Sequence, residues 1–109
     1  MSNYIFIETR DPFESPDIRF VEENALALKR RGHAVTIFLI QNGVLAARKD
    51  CMAHKFTRLS DAGITLFADD FSLAERGVAN SELAPEIKPA TIDQLVIALV
   101  QEDTKALWH

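Results

Sequence analysis

The segment at residues 35–40, Val-Thr-Ile-Phe-Leu-Ile, limits the possible folds of this chain more than any other. Five of its six side chains are apolar, so it lacks the polar–apolar alternation of a strand with one face in water. A strand of this kind is buried on both faces, which is typical of parallel sheets covered by helices. The segment therefore predicts a central sheet between two helical layers.

Strand and helix patterns alternate along the first half of the chain. Residues 4–7 and 64–68 are short, apolar and rich in β-branched or aromatic side chains, which favours two further strands. Between the first two strands, apolar residues recur at helical spacing. Their positions are Ile18, Val21, Ala25 and Leu28. Ser15 and Pro16 suit the start of this helix, and Gly32 suits its end.

The later elements are shorter. We expect helices at residues 44–49 and 56–62, and one that begins at Ser72 through a capping box with Glu75. A short strand near Ile87, a last helix capped by Thr91 and a terminal strand at 105–108 complete the prediction. This order predicts one α/β domain over residues 1–109, with three α/β/α layers, flavodoxin-like layering and a mainly parallel sheet of about five strands.

Composition narrows the classes of function. Sixteen acidic against twelve basic residues give a net charge of −4, which argues against nucleic-acid binding. The longest apolar run, residues 95–100, is too short to span a membrane, and no signal peptide is visible. A single cysteine excludes an intrachain disulfide and favours a cytoplasmic location. No glycine-rich phosphate loop is present, so a nucleotide site lacks its usual signature. We expect neither a cofactor nor a metal.

The carboxyl ends of parallel strands are where α/β proteins bind ligands, and here they carry polar residues. Asp69 and Asp70 follow the third strand directly, and adjacent carboxylates could bind a metal or act as acid and base. The alternative, which we prefer, is that they are structural, because the dipole of the next helix stabilises negative charge at its start. A ligand pocket there would include Asn42, Asp69, Asp70 and Ser72. Its two aspartates favour a cation, although a helix start attracts anions.

Cys51 is the only thiol, and His54 follows it in the spacing Cys-x-x-His. Such a pair supplies two metal ligands and no third, so a metal site is not expected. His54 could instead activate Cys51 as a nucleophile. An inert structural thiol is the simpler interpretation.

Several segments, taken in order, resemble the DsrE/DsrF-like family of sulfur-relay proteins. They are the helix end Arg31–Val35, the strand at 36–40 with Gln41–Val44, the amphipathic stretch closing at Gly63, the segment Leu73–Val78, and the final helix with Trp108 beyond it. The resemblance covers nearly the whole chain. It implies the three-layer fold and a cysteine, at the end of the third strand, that accepts sulfur as a persulfide.

The resemblance places this cysteine eight residues before Gly77, where the chain has Asp69. A second cysteine, which some members carry three residues later, corresponds to Ser72. A carboxylate cannot hold a persulfide, so the family's activity does not carry over to this position. We expect Asp69 instead to accept hydrogen bonds from the amides of the following helix start.

Three interpretations of the function follow. The first is a non-catalytic binding or accessory subunit in sulfur relay or sulfur metabolism. The resemblance implies that it would form a homo-oligomer (trimer or hexamer) or a mixed oligomer with paralogues, and would dock a sulfur carrier, with Phe13, Phe71 and Trp108 as candidate contacts. The second is a sulfurtransferase that carries the persulfide on Cys51. The third is a small-ligand-binding domain at the strand ends.

Overall fold

The computed structural model describes residues 2–51 and 55–109. Within these residues, five strands form one sheet in which every neighbouring pair is parallel. The strands are β1 (Asn3–Glu8), β2 (Ala34–Leu39), β3 (Thr65–Asp69), β4 (Lys88–Ala90) and β5 (Thr104–Trp108). Their order across the sheet is β4-β3-β2-β1-β5. The prediction of a parallel α/β fold is therefore confirmed.

The connections between strands are mostly helical. The α-helices are α1 (Asp17–Arg30), α2 (Thr57–Asp61), α3 (Asp70–Glu75) and α4 (Ile92–Leu99). Two 3₁₀ helices cover Gln41–Ala47 and Asn80–Glu82. The short helix expected at residues 44–49 is therefore a 3₁₀ helix that begins earlier, and the strand expected near Ile87 is β4.

The strand order places the helices on two faces. From β1 to β4 each strand lies beside its predecessor, and these steps all run in one direction. The last connection must return from the β4 edge past β1 to the β5 edge. Because crossovers between parallel strands are right-handed, a step in the reverse direction lies on the opposite face of the sheet. This is the face that α4 covers.

Two apolar clusters fill the space between the layers. Alternate strand residues such as Phe6, Ile37 and Leu39 pack with α1, α2 and α3 in the larger cluster. Their neighbours Ile7 and Phe38 point to the other face, where they pack with α4 in the smaller cluster. A five-stranded sheet is about 19 Å wide, whereas a single helix with its side chains is about 10–12 Å across. The helix α4 therefore covers only part of its face.

Gly43 permits the closest approach between the first 3₁₀ helix and the sheet. A Cβ atom at this position would overlap the backbone carbonyl oxygen of Glu8. The same carbonyl oxygen accepts a hydrogen bond of 3.0 Å from the Ile40 amide. Glycine is therefore required where the chain leaves β2 and turns over the end of β1.

None of the helices in the described part of the chain has both the length and the apolar character needed to cross a membrane.

Candidate functional site

A cavity of about 400 Å³ lies at the carboxyl ends of β2, β3 and β4. This is the edge of the sheet at which the sequence predicts the site. Four of the lining residues are acidic, three are apolar and three are polar and uncharged. They are Asp69, Asp70, Glu75 and Asp93, then Ile40, Phe71 and Ile92, then Gln41, Ser72 and Thr91.

A buried hydrogen-bond network forms one side of this cavity. The Ser72 hydroxyl donates to Asp69 Oδ2 over 2.7 Å and accepts the Gln41 amide over 2.9 Å. The Ser72 amide also donates to Asp69 Oδ2, over 3.0 Å. Gln41 has a left-handed backbone with φ of 50°. These bonds join the end of β2 to the end of β3.

Asp69 is the N-cap of α3, as its hydrogen bond from the Ser72 amide shows. The expectation that its carboxylate accepts from the helix amides is confirmed. The predicted helix start at Ser72, with Glu75 completing a capping box, is wrong because the helix begins at Asp70. Asp69 caps it from the strand end, so Ser72 is already the third helical residue and its hydroxyl is free to bind Gln41. Asp70 lies in the first turn, where its charge suits the helix dipole.

The Asp69 carboxylate uses only one of its two oxygens. Oδ2 accepts both hydrogen bonds from Ser72, whereas Oδ1 is buried and has no hydrogen-bond partner among the described residues. The residue as a whole is 5% exposed. A buried acceptor without a donor is unfavourable and rare in folded proteins.

Asn42 does not join the other candidate residues at the cavity. Its Oδ1 accepts a hydrogen bond of 3.0 Å from Arg76 Nε, and it is not among the lining residues. Arg76 also donates to the Ser72 carbonyl oxygen over 3.2 Å and lies 3.7 Å from the Glu75 carboxylate. The hydrogen bond between Asn42 and Arg76 thus links the first 3₁₀ helix to the end of α3 outside the cavity.

The start of α4 completes the cavity opposite α3. Thr91 caps this helix, as predicted, by accepting the Gln94 amide over 3.2 Å, and Gln94 Oε1 accepts the Thr91 amide over 2.7 Å. Thr91, Ile92 and Asp93 all line the cavity. Sequence reasoning missed them as site residues because it did not predict that β4 lies beside β3.

Cys51 lies away from this cavity. It is 2% exposed, and its amide donates to the Arg48 carbonyl oxygen over 3.0 Å. His54, proposed as the residue that could activate it, falls outside the described residues. Of the residues predicted for the site, the structure therefore brings together Asp69, Asp70 and Ser72, but not Asn42 or Cys51. In residues 2–51 and 55–109, no group of three or more His, Cys, Asp or Glu side chains could hold a metal ion.

Glu8, the last residue of β1, is a second buried carboxylate at the same sheet edge. It is 1% exposed. Oε1 accepts the Arg10 amide over 3.1 Å, while Oε2 is buried without a hydrogen-bond partner in the described chain. Burial raises the pKa of Glu8, and the Asp17 carboxylate raises it further, whereas the Arg10 amide and His109 oppose the shift.

The fold and this edge of the sheet define the chain as a parallel α/β protein with a cavity at its strand ends. The model of the DsrE/DsrF-like family matches residues 2–106. The chain belongs to the DsrE/DsrF-like family.

Solved structures share this fold at low sequence identity. The Escherichia coli protein YchN is similar with a TM-score of 0.88 and 15% identity, over 100% of both chains. MTH1491 from Methanobacterium thermoautotrophicum, described as a protein of unknown function, is similar with a TM-score of 0.79 and 12% identity, again over 100% of both chains. At these identities the similarity establishes the fold alone. A search of curated proteins gave no significant match.

Replacing Ser72 with alanine removes the hydroxyl that joins the ends of β2 and β3. The Gln41 amide then loses its acceptor, so we expect the free energy of unfolding to fall by about 2 kcal/mol. Urea denaturation measures this change. Ser81→Ala, at an exposed position in the second 3₁₀ helix, is the control and should change it little. Equal effects of the two variants would contradict the role given to the network.

Replacing Glu8 with glutamine should stabilise the protein at neutral pH. The raised pKa means that the folded state binds this proton more tightly than the unfolded chain does. Glu8 therefore lowers stability as the pH rises from its ordinary pKa of 4.5 through the raised value. The advantage of Glu8→Gln should shrink as the pH falls toward 4.5.

Urea denaturation of both proteins across this pH range measures the difference. Glu14→Gln, at an exposed position in the loop after β1, is the matched control. An advantage of Glu8→Gln that does not depend on pH would show that ionisation of Glu8 is not its cause.

Proposed function

We propose that this chain is a non-catalytic member of its family, a binding or accessory subunit in sulfur relay or sulfur metabolism. Membership of the DsrE/DsrF-like family suggests a function related to sulfur relay. The observation that carries the non-catalytic role is the place of Asp69. At the position where the resemblance puts the sulfur-accepting thiol, a buried carboxylate caps α3.

The chemistry of sulfur relay explains why this substitution matters. A persulfide forms when a thiolate takes a sulfur atom and makes a sulfur–sulfur bond, and the thiolate must be reachable by its donor. The Asp69 carboxylate has no sulfur and is held by the Ser72 amide and hydroxyl. Cys51 is buried and does not line the cavity. Both facts favour binding over catalysis.

The rim of the cavity offers a surface for a partner. Phe71 and Ile92 line it, and their side chains are 67% and 50% exposed. Exposed apolar residues rimmed by acidic ones are typical of protein interaction sites. A sulfur carrier or a catalytic paralogue could dock at this edge without reacting with the chain.

We expect that the folded wild-type protein takes up no sulfur when it is incubated with a small-molecule persulfide. Intact-mass spectrometry would detect an adduct with the mass of one sulfur atom. The double variant Asp69→Cys with Cys51→Ser places the only thiol at the end of β3, beside the start of α3, and should acquire this adduct.

The single variant Cys51→Ser is the control that assigns any adduct on the wild type. An adduct on the wild-type protein that Cys51→Ser lacks would contradict the non-catalytic role and support a sulfurtransferase that uses Cys51. Circular dichroism of each variant shows whether it has kept its fold.

The composition of α4 supports an oligomer. Asp93 and Gln94 are its only polar residues, and Leu95 packs onto the sheet. Ile92, Val96 and Ile97 in the helix, and Val100 just after it, are each at least half exposed. A helix whose sheet-facing and outer surfaces are both apolar is typically buried on both. We therefore propose that a second copy of the chain, or a paralogous subunit, covers the outer surface of α4, as in the trimer, hexamer or mixed oligomer that the resemblance implies.

We expect the native mass of the wild-type protein to be at least twice the mass of one chain. Replacing Val96 with glutamate puts a charge in the centre of the exposed α4 surface and should shift the protein to the monomer. Light scattering after gel filtration measures both masses. Ser81→Glu adds the same charge at an exposed position elsewhere and should leave the mass unchanged. A monomeric wild type would contradict self-association and leave a paralogue as the partner to test.

A further inference from the structure

The strand β5 is an open edge of the sheet. It is last in the strand order, and among the described residues β1 is its one neighbouring strand. The His109 amide donates to the Ile7 carbonyl oxygen over 2.8 Å, and the His109 carbonyl oxygen accepts from the Thr9 amide. Residues 105 and 107 have the same orientation, because the direction of bonding alternates along a strand. The amides and carbonyls at 104, 106 and 108 therefore point away from β1, toward the open side.

The two edges of the sheet differ in their protection against pairing. The strand β4 has three residues, and its central Pro89 has no amide hydrogen to donate. In contrast, β5 has five residues and no proline. Its one charged side chain, Lys105, has Nζ 5.6 Å from the centre of the Tyr4 ring on β1, so it lies back over the sheet. An edge strand of this kind is ready to pair with another chain.

A groove of about 350 Å³ lies between α1 and β5, beside this edge. Six of its described lining residues are apolar or aromatic, and the other two are Asn24 and Arg31. The six are Tyr4, Phe6, Phe20, Ala27, Leu28 and Leu107. Phe20 and Leu107 are 53% and 40% exposed. Alternate side chains of a strand added beside β5 would point to this side of the sheet, where the groove can take an apolar one.

One end of the groove is basic. From Arg31 at the end of α1 the chain passes to Ala34, which pairs with Asn3 at the start of β1, and Lys105 pairs with the next residue, Tyr4. Arg31 and Lys105 are exposed, and neither forms an ion pair with another described residue. Two unpaired cations in a chain of net charge −4 favour an acidic side chain on the partner.

A second copy of this chain does not offer that side chain. Its own edge strands, β4 and β5, have the sequences Lys-Pro-Ala and Thr-Lys-Ala-Leu-Trp. Each would bring a lysine and no carboxylate to the basic end of the groove. Like charges placed together weaken association, so a strand of different sequence suits this edge better.

We propose that the β5 edge binds an extended segment of another protein, which adds a strand to the sheet. An apolar side chain of this segment enters the groove beside Phe20 and Leu107. An acidic side chain two residues away, on the same side of the added strand, pairs with Arg31 and Lys105. The groove shares no lining residue with the cavity at the strand ends, and this binding does not depend on the sulfur-relay role.

The peptide acetyl-Thr-Val-Thr-Phe-Thr-Glu-Thr-amide tests the proposal. Antiparallel to β5, its phenylalanine lies opposite Leu107 and its glutamate opposite Lys105, and the threonine between them bonds to Ala106. Hydrogen exchange of the ¹⁵N-labelled protein should show saturable protection of the amides of Thr104, Ala106 and Trp108. The amides of Lys105 and Leu107 already bond to β1 and should change little. Absence of saturable protection would overturn the proposal.

Fluorescence gives an independent reading of the same titration. Trp108 is the single tryptophan and is 66% exposed, so its emission should move to shorter wavelength as the peptide covers the edge. A peptide with proline between the phenylalanine and the glutamate lacks the amide that donates to Ala106, and should bind at least about tenfold more weakly. A peptide with glutamine for glutamate should bind about threefold more weakly. Equal binding of the proline peptide would overturn the proposal.

Substitutions assign the basic end of the groove. Arg31→Gln with Lys105→Gln should abolish the preference for the glutamate peptide over the glutamine peptide. Arg30→Gln with Lys88→Gln removes the same charge at exposed positions outside the groove and should keep the preference. Equal preference in the two double variants would overturn the proposal.

Hydrogen exchange of the protein alone tests the other occupant. Protection of the amides of Thr104, Ala106 and Trp108 without peptide, lost on dilution, would show that a second copy of this chain covers the edge. That result would also overturn the proposal.

Discussion

The hydroxyl of Ser72 connects the parts of the protein on which the site depends. It accepts the Gln41 amide at the end of β2 and donates to Asp69 at the end of β3. Because the group is buried, water cannot replace either bond at low cost. Hydrogen bonds of this one residue therefore join the two strand ends, the start of α3 and the first turn of the 3₁₀ helix into one unit. The cavity has a defined shape because this unit forms one side of it.

The same unit bears on the proposed non-catalytic role. A helix start at the end of a strand stabilises negative charge, whether the charge is a thiolate or a carboxylate. With a carboxylate at Asp69, that stabilisation contributes to the helix cap. One buried oxygen of Asp69 then has no hydrogen-bond partner among the described residues.

The direction of the strand order has a second consequence for function. Because the last crossover returns across the sheet, α4 lies on its own face. It contributes Thr91, Ile92 and Asp93 to the cavity and exposes apolar side chains on its outer surface. A contact made through the outer surface of α4 would therefore lie next to the cavity at the strand ends.

Local patterns determined much of this protein from sequence. The apolar segments predicted β1, β2 and β3, and the capping roles of Asp69 and Thr91 followed from their place before helices. Sequence alone did not reveal that Asn42 bonds to Arg76, that Glu8 is buried, or that Asp93 lines the same cavity as Asp69. These depend on which strands lie side by side. Strand order is decided by hydrogen bonds between residues far apart in the chain, which periodicity within a segment does not encode.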